Sequence, residues 1–243
     1  MSSEVNVVRE HDQLYLLEQR KHEPKEYFKF IIAKAKNHLK AFDKLAMLDI
    51  GCATGDFLFY LQSQFPESNL TGMDVMPSLL ERAKEEVENC QFIHANICDA
   101  STLPDTKYQA VFMNGVHSIF DSLEPWLDNA LTLVSKDNGK LYLFGIFNPD
   151  DIDVLLKVRS VEQDKNSQWQ SGWNCFSMKT FEKYLEKSNV KNYTFHDFNI
   201  EIDIPKHEDD PLRSWTFDYN DGSKGVINGA MILHKFMLLE VSL

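Results

Sequence analysis

Residues 46–56 read Ala-Met-Leu-Asp-Ile-Gly-Cys-Ala-Thr-Gly-Asp. A short apolar run carries an aspartate near its end, then turns through Gly51 and Gly55 into the apolar-periodic stretch Phe57–Leu61. That order reads as strand, tight glycine turn, helix. Such a turn lets a ligand approach bare backbone at the open edge of a parallel sheet. A second acid, Asp74, ends the next strand-like run, Leu70-Thr71-Gly72-Met73-Asp74. A carboxylate so placed accepts both hydroxyls of a ribose. A glycine turn alone is weak evidence; the turn and the second acid in this order constrain the fold far more.

At 243 residues the chain has material for one full α/β core with small insertions. No apolar run approaches the roughly 20 residues needed to span a bilayer, and Met1–Glu10 has no apolar signal region. Cys52, Cys90, Cys98 and Cys175 show no C-x-x-C spacing, so neither a disulfide frame nor a zinc site is expected, and a reducing cytoplasm fits. The net charge of −12 argues against nucleic acid and against anionic membranes as partners. Only Lys34, Lys36, Lys40 and Lys44 cluster, on what reads as a solvated helix face.

Along the chain, Pro24 starts a helix with Phe28, Ile31, Ile32, Ala35 and Leu39 at helical spacing. Strand-like runs follow at Ala46–Ile50, Leu70–Asp74, Gln91–Ala95, Gln109–Met113 and Lys140–Ile146, alternating with helical stretches. That alternation predicts a mostly parallel sheet covered on both faces. After Pro149 the rhythm breaks. A helix is expected around Met178, Phe181 and Leu185, then two long strands, Asn192–Ile204 and Gly229–Val241. A non-helical connection joins them, which predicts an antiparallel pair at the sheet edge.

With these residues in view, the chain resembles the class I S-adenosylmethionine-dependent methyltransferases over roughly residues 44–200, the sheet order extending to the C-terminus. Leu48-Asp49-Ile50-Gly51-Cys52-Ala53-Thr54-Gly55 is similar to that family's first motif, and Asp74 to its ribose-binding acid. Ala95-Asn96-Ile97-Cys98-Asp99 stands where the family places a polar residue near the adenine amine. Val111-Phe112-Met113-Asn114-Gly115-Val116-His117 matches the segment that borders cofactor and substrate. The resemblance implies an α/β, Rossmann-like three-layer sandwich. Its sheet would have seven strands, mostly parallel, with an antiparallel strand at the C-terminal edge. It implies a single domain over 1–243, with a helical extension at about 1–43 and cap-like insertions at about 150–176 and 205–228.

The implied cofactor is S-adenosyl-L-methionine, with S-adenosyl-L-homocysteine as product. By the same resemblance it is held by Asp49, Gly51, Cys52, Ala53, Gly55, Asp74, Val75, Met76, Asn96, Ile97, Asp99, Asn114 and Gly115, with no metal. Three departures stand out. Ala53 replaces the middle glycine, and the loop is expected to survive with Ala53 at negative φ. Asn96 replaces the usual acid, so Asn96 and Asp99 compete for the adenine contact. Gln109 replaces a common aspartate, read as a structural change.

Each position also has a plainer interpretation. Asp49 could cap the next helix, Asp74 could be a solvated strand end, and Met76 is core or covers one face of adenine. Asn96 and Asp99 could both cap a turn. His117 is the candidate general base, or else a polar cap. His11 and Tyr15 form a lid over substrate or lie on a surface helix. Trp169, Trp173, Arg213 and Trp215 fall in the irregular segments. Trp173, Arg213 and Trp215 are expected to line the acceptor pocket with Tyr15 and His117, although Arg213 could instead pair with Glu208, Asp209 or Asp210.

Methyl transfer from a sulfonium is an in-line displacement that needs alignment and water exclusion more than a fixed triad. The expectation is therefore a cytoplasmic methyltransferase acting on an oxygen or nitrogen of a small molecule, such as a sugar or natural-product intermediate. Two other readings compete with it. One is a non-catalytic module of the same fold that binds cofactor and a protein partner. The other is a nucleotide-dependent oxidoreductase, disfavoured because the first turn is G-x-x-x-G rather than G-x-G-x-x-G. An open pocket beside the cofactor would favour the enzyme, and a filled one the module. Oligomeric state is not legible.

Overall fold

The computed structural model describes residues 16, 21–159, 161, 168–208 and 210–243. His11, Tyr15 and Asp209, most of the segment before residue 21, and part of the first insertion lie outside the described residues.

Among the described residues five α-helices run α1 (Glu26–Leu39), α2 (Asp56–Gln64), α3 (Pro77–Glu86), α4 (Trp126–Leu133) and α5 (Met178–Lys187). The strands are β1 (Ala46–Ile50), β2 (Asn69–Asp74), β3 (Cys90–His94), β4 (Ala110–Asn114), β5 (Lys140–Ile146), β6 (Lys157–Val158), β7 (Gln170–Ser171), β8 (Asn192–Asp197), β9 (Trp215–Asp218), β10 (Lys224–Ile227) and β11 (Phe236–Ser242). Seven of them form one sheet in the order β3-β2-β1-β4-β5-β11-β8. The β1–β5 neighbours pair in parallel, and β11 is antiparallel to both β5 and β8. The reversed strand is thus inserted beside β5, with β8 outermost. β6–β7 and β9–β10 are separate antiparallel hairpins.

Strand periodicity decides which face each side chain covers. Met47, Phe112, Tyr142 and Leu238 point to the layer of α1 and α2, where Phe28, Ile31, Phe57 and Leu61 bury against them. Their neighbours Leu48, Val111, Leu141 and Leu239 point the other way, into Trp126, Leu127, Phe181 and Leu185 of α4 and α5. The stripe expected on the first helix, Phe28, Ile31, Ile32, Ala35 and Leu39, is the set that α1 buries. Gln109 acts structurally: its backbone amide donates to the carbonyl of Ala46 at 3.0 Å, and its Oε1 accepts the Ala46 amide at 2.8 Å. The late strands are shorter than expected. β8 ends at Asp197 and β11 begins at Phe236, because the connection folds on itself as β9–β10 rather than extending the sheet.

β1 has β2 on one side and β4 on the other, so the chain's winding reverses there. A crevice at the carboxyl ends of such strands is where open α/β sheets take ligands.

Candidate functional site

A cavity of about 770 Å³ opens at that crevice, within the usual range for cofactor-sized ligands. Asp49, Gly51, Cys52 and Ala53 line it from the β1 turn, Asp74, Val75 and Met76 from the end of β2, Asn96 and Ile97 from the end of β3, and Asn114 and Gly115 from β4.

The turn owes its shape to backbone conformations few residues tolerate. Gly51 sits at φ +71, and an added Cβ would meet Val116 Cγ2 at 2.4 Å. Gly55 caps α2 at φ +83, pressed against Val87 and Ala83, so it shapes the turn from behind rather than lining the cavity. The expectation for Ala53 is overturned: it takes the left-handed φ of +47. That geometry lets its amide donate to Asp74 Oδ2 at 3.0 Å. The strain costs an alanine about 1–2 kcal/mol, against about 0.4–1 kcal/mol that a glycine loses through its freer unfolded chain. Ala53→Gly is therefore expected to raise Tm by about 1–3 °C in a thermal melt. A lower Tm would contradict the strain.

Asp74 is held from two sides: Met76 N donates to Oδ1 at 2.9 Å and Ala53 N to Oδ2. It is no solvated strand end, being 9% exposed. Asp49 is buried as well and caps no helix; Asn114 Nδ2 donates weakly to it at 3.4 Å. Burial first, and the charge of Asp74 second, hold the Asp49 carboxyl well above the usual range, against the opposing Asn114 hydrogen bond. Asn114 Oδ1 is buried with no partner in the protein. Two buried carboxyl groups and an unmet acceptor make this end of the cavity ready for a ligand with donors and positive charge.

Asn96, not Asp99, faces the cavity. Asn96 Oδ1 accepts the Cys98 amide at 2.9 Å. Asp99 is exposed, and its Oδ1 accepts the amide and hydroxyl of Ser101, which hold its carboxyl below the usual range. Asp99 caps a turn. Met76 is 7% exposed and combines both suggested roles, core and cavity wall.

The base assigned to His117 does not stand. The ring is fully buried against the β5 backbone, 4.9 Å from the Phe147 ring and 5.9 Å from Phe181. Its Nε2 hydrogen-bonds the carbonyl of Ile146 at 3.0 Å, and a Cβ on Gly145 would lie 2.2 Å from its Cε1. Burial drives its pKa down to about 4, the Ile146 contact opposing only in part. It does not line the cavity.

Nor do Trp173, Arg213 or Trp215 line it. The segment holding Arg213 and Trp215 leaves the sheet after β8 and returns at β11, beyond β5 from the crevice, where Lys206 covers the Trp215 ring at 5.0 Å. Trp173 takes φ +61 as the chain turns into buried Asn174. The wall comes instead from Tyr27 of α1, from Phe120 and Asp121 after β4, and from Lys157, Trp169 and Ser171 of the β6–β7 hairpin. Of these only Trp169 stood among the aromatic residues singled out in sequence. The others carry no motif.

Residues 48–141 match a family model described as a methyltransferase domain. The chain is 25% identical over 144 residues to malonyl-[acyl-carrier protein] O-methyltransferase 2 of Ilyobacter polytropus, covering 58% of this chain and 52% of that one. It is 28% identical over 131 residues to trans-aconitate 2-methyltransferase of Rhodopseudomonas palustris, covering 53% and 48%. The chain thus spans about half the length of these curated relatives. Among solved structures, the YcgJ protein of Bacillus subtilis superposes with a TM-score of 0.58 at 12% identity, over 88% of this chain and 98% of that one, a likeness of fold.

Proposed function

We propose that this chain, whose residues 48–141 match a family model described as a methyltransferase domain, moves a methyl group from S-adenosylmethionine to an oxygen or nitrogen of a small molecule. The observation that carries this reading is the cavity at the carboxyl ends of β1, β2 and β4, with Asp74 fixed by two backbone amides at its floor.

The residues present fit the cofactor. Asp74 offers a carboxylate to the ribose hydroxyls, and Val75, Met76, Asn96 and Ile97 form the wall for the base. Asp49 and the unmet Asn114 Oδ1 suit the cationic amino-acid end. When bound, the cofactor supplies a methyl already activated by positive sulfur. The protein's work is then to align the acceptor and exclude water. Tyr27, Phe120 and Trp169 supply aromatic wall for that. Among the described residues the cavity lining holds no histidine, so the acceptor attacks with its own lone pair, or loses its proton to a carboxylate or water. An open cavity beyond the cofactor groups favours an enzyme over a purely binding module.

The net charge of −12 and the small-molecule or carrier-bound acceptors in the relatives' names support a metabolite acceptor. The test is a methyl-labelled S-adenosylmethionine assay on a cell extract split into low-mass metabolites, protein and RNA. Label is expected in the low-mass fraction. Label confined to RNA or protein would contradict the small-molecule acceptor.

A further inference from the structure

The part of the cavity wall built by the segment after β4 and the β6–β7 hairpin carries a donor and an acceptor side by side. Asp121 Oδ1 accepts from Ser171 Oγ at 2.8 Å and from Asn174 Nδ2 at 2.9 Å, while Oδ2 accepts from Lys157 Nζ at 2.5 Å. Lys157 Nζ also donates to Ser171 Oγ. Two bonds saturate Oδ1; Oδ2 keeps a lone pair and the ammonium a third hydrogen. Both side chains border the cavity, 35% and 44% exposed.

The pair is rigidly mounted. Asn174, fully buried, donates from its amide to Ser118 O at 2.8 Å and from Nδ2 to Phe120 O at 2.8 Å, and its Oδ1 accepts the Leu156 amide at 2.7 Å. It ties the β6–β7 hairpin to the segment that follows β4. Burial works against the charged form of Asp121, but the hydrogen bonds and the Lys157 charge outweigh it and keep its carboxyl below the usual range.

This arrangement selects by chemistry. A ligand carboxylate would satisfy Lys157 but meet the charge of Asp121. An ammonium would satisfy Asp121 but meet Lys157. A hydroxyl donates to Oδ2 and accepts from Nζ at once. Around the pair stand the uncharged polar residues Ser122, Gln168 and Gln170, and Glu124 on this rim is paired with Lys187. Trp169 is 60% exposed, with the Arg159 guanidinium 4.7 Å from its ring centre. Its indole offers an apolar platform beside hydrogen-bonding groups.

We propose that Asp121, Lys157 and Trp169 form a recognition subsite for a neutral polyhydroxylated acceptor, a glycosyl ring, with one hydroxyl bridging Asp121 and Lys157 and the ring's apolar face on Trp169. The subsite rests on the methyl-transfer reading of the cavity. It holds the acceptor; no proton transfer is assigned to it.

Saturation-transfer difference NMR tests it on protein loaded with S-adenosylhomocysteine. The probes are the methyl pyranosides of glucose, galactose and mannose, with propionate and propylamine as charged controls. Ring-proton signals are expected from at least one pyranoside, above those of both controls. Asp121→Asn and, independently, Trp169→Ala should weaken its titration at least about fivefold, while calorimetry finds S-adenosylhomocysteine affinity within about twofold of wild type. Trp169 is exposed enough that its variant should fold. Absence of pyranoside signals with the product cofactor bound, stronger signals from a charged control, or undiminished binding in both variants would overturn the subsite alone. Failure of S-adenosylhomocysteine to bind would instead overturn the methyl-transfer reading, and the subsite with it.

Discussion

Asp74→Ala is expected to weaken S-adenosylhomocysteine binding by at least about tenfold, the equivalent of losing charge-assisted hydrogen bonds of about 1.5–3 kcal/mol. The carboxylate lines the cavity, and its two oxygens are fixed by the amides of Ala53 and Met76. Its loss removes the ligand's acceptor and also strands two backbone donors in a turn that already carries a left-handed alanine. Stability should therefore fall too, by about 1–3 kcal/mol. Asp74→Asn keeps the shape and one carbonyl oxygen, so it should lie between wild type and alanine in both measurements. Calorimetry paired with thermal melts separates the two effects. A folded alanine variant with unchanged affinity would reduce Asp74 to a structural turn acid.

The second large effect is loss of stability in mild acid. His117 is buried neutral with its pKa near 4, against an ordinary value of 6.5. Below pH 6.5 the unfolded chain takes up a proton that the native chain refuses until about pH 4. The contribution of His117 is thus fully present above pH 6.5, falls as pH drops through the window from 6.5 to 4, and is flat below it. Across that window the loss is roughly 3 kcal/mol, and about 2 kcal/mol of it comes by pH 5. His234, desolvated by burial to about 4, acts in the same direction. Asp49, held high, acts in the opposite one. The clean measurement is therefore a difference: urea unfolding of wild type and His117→Gln at pH 7.5 and pH 5. The variant should lose about 2 kcal/mol less between the two. An NMR titration showing the His117 imidazolium already formed at pH 6 would contradict the buried neutral ring.

Local patterns foretold the fold where one rule governs a segment. Ala46–Ile50 and Lys140–Ile146 are strands at their expected bounds, and the α1 stripe is buried residue for residue. The expected late strands ran on through residues 198–204 and 229–235, but there the chain leaves the main sheet on its way to and from the separate β9–β10 hairpin. Alternation gives a strand's faces, not the sheet it joins.

The site divides in the same way. Glycine turns and strand-end acids leave local marks, so Asp49, Gly51 and Asp74 were legible. The rest of the cavity wall depends on tertiary register. Trp169 and Trp173 lie four residues apart, and the pairing of Lys157 with Ser171 in β6–β7 belongs to the arrangement that leaves Trp169, not Trp173, on the cavity. Asp121 owes its place to Asn174, some fifty positions away. His117 looked reactive by type and position, but nothing local reveals that Phe147, Trp126 and Phe181 close over it.

The central claim, that the crevice beside β1 is an S-adenosylmethionine site, is tested most directly by titration calorimetry on wild-type protein. S-adenosylmethionine and S-adenosylhomocysteine should each bind at one site per chain, with Asp74→Ala weakening both and NAD giving no saturable heat. Saturable binding of NAD with no response to either sulfur compound would contradict it.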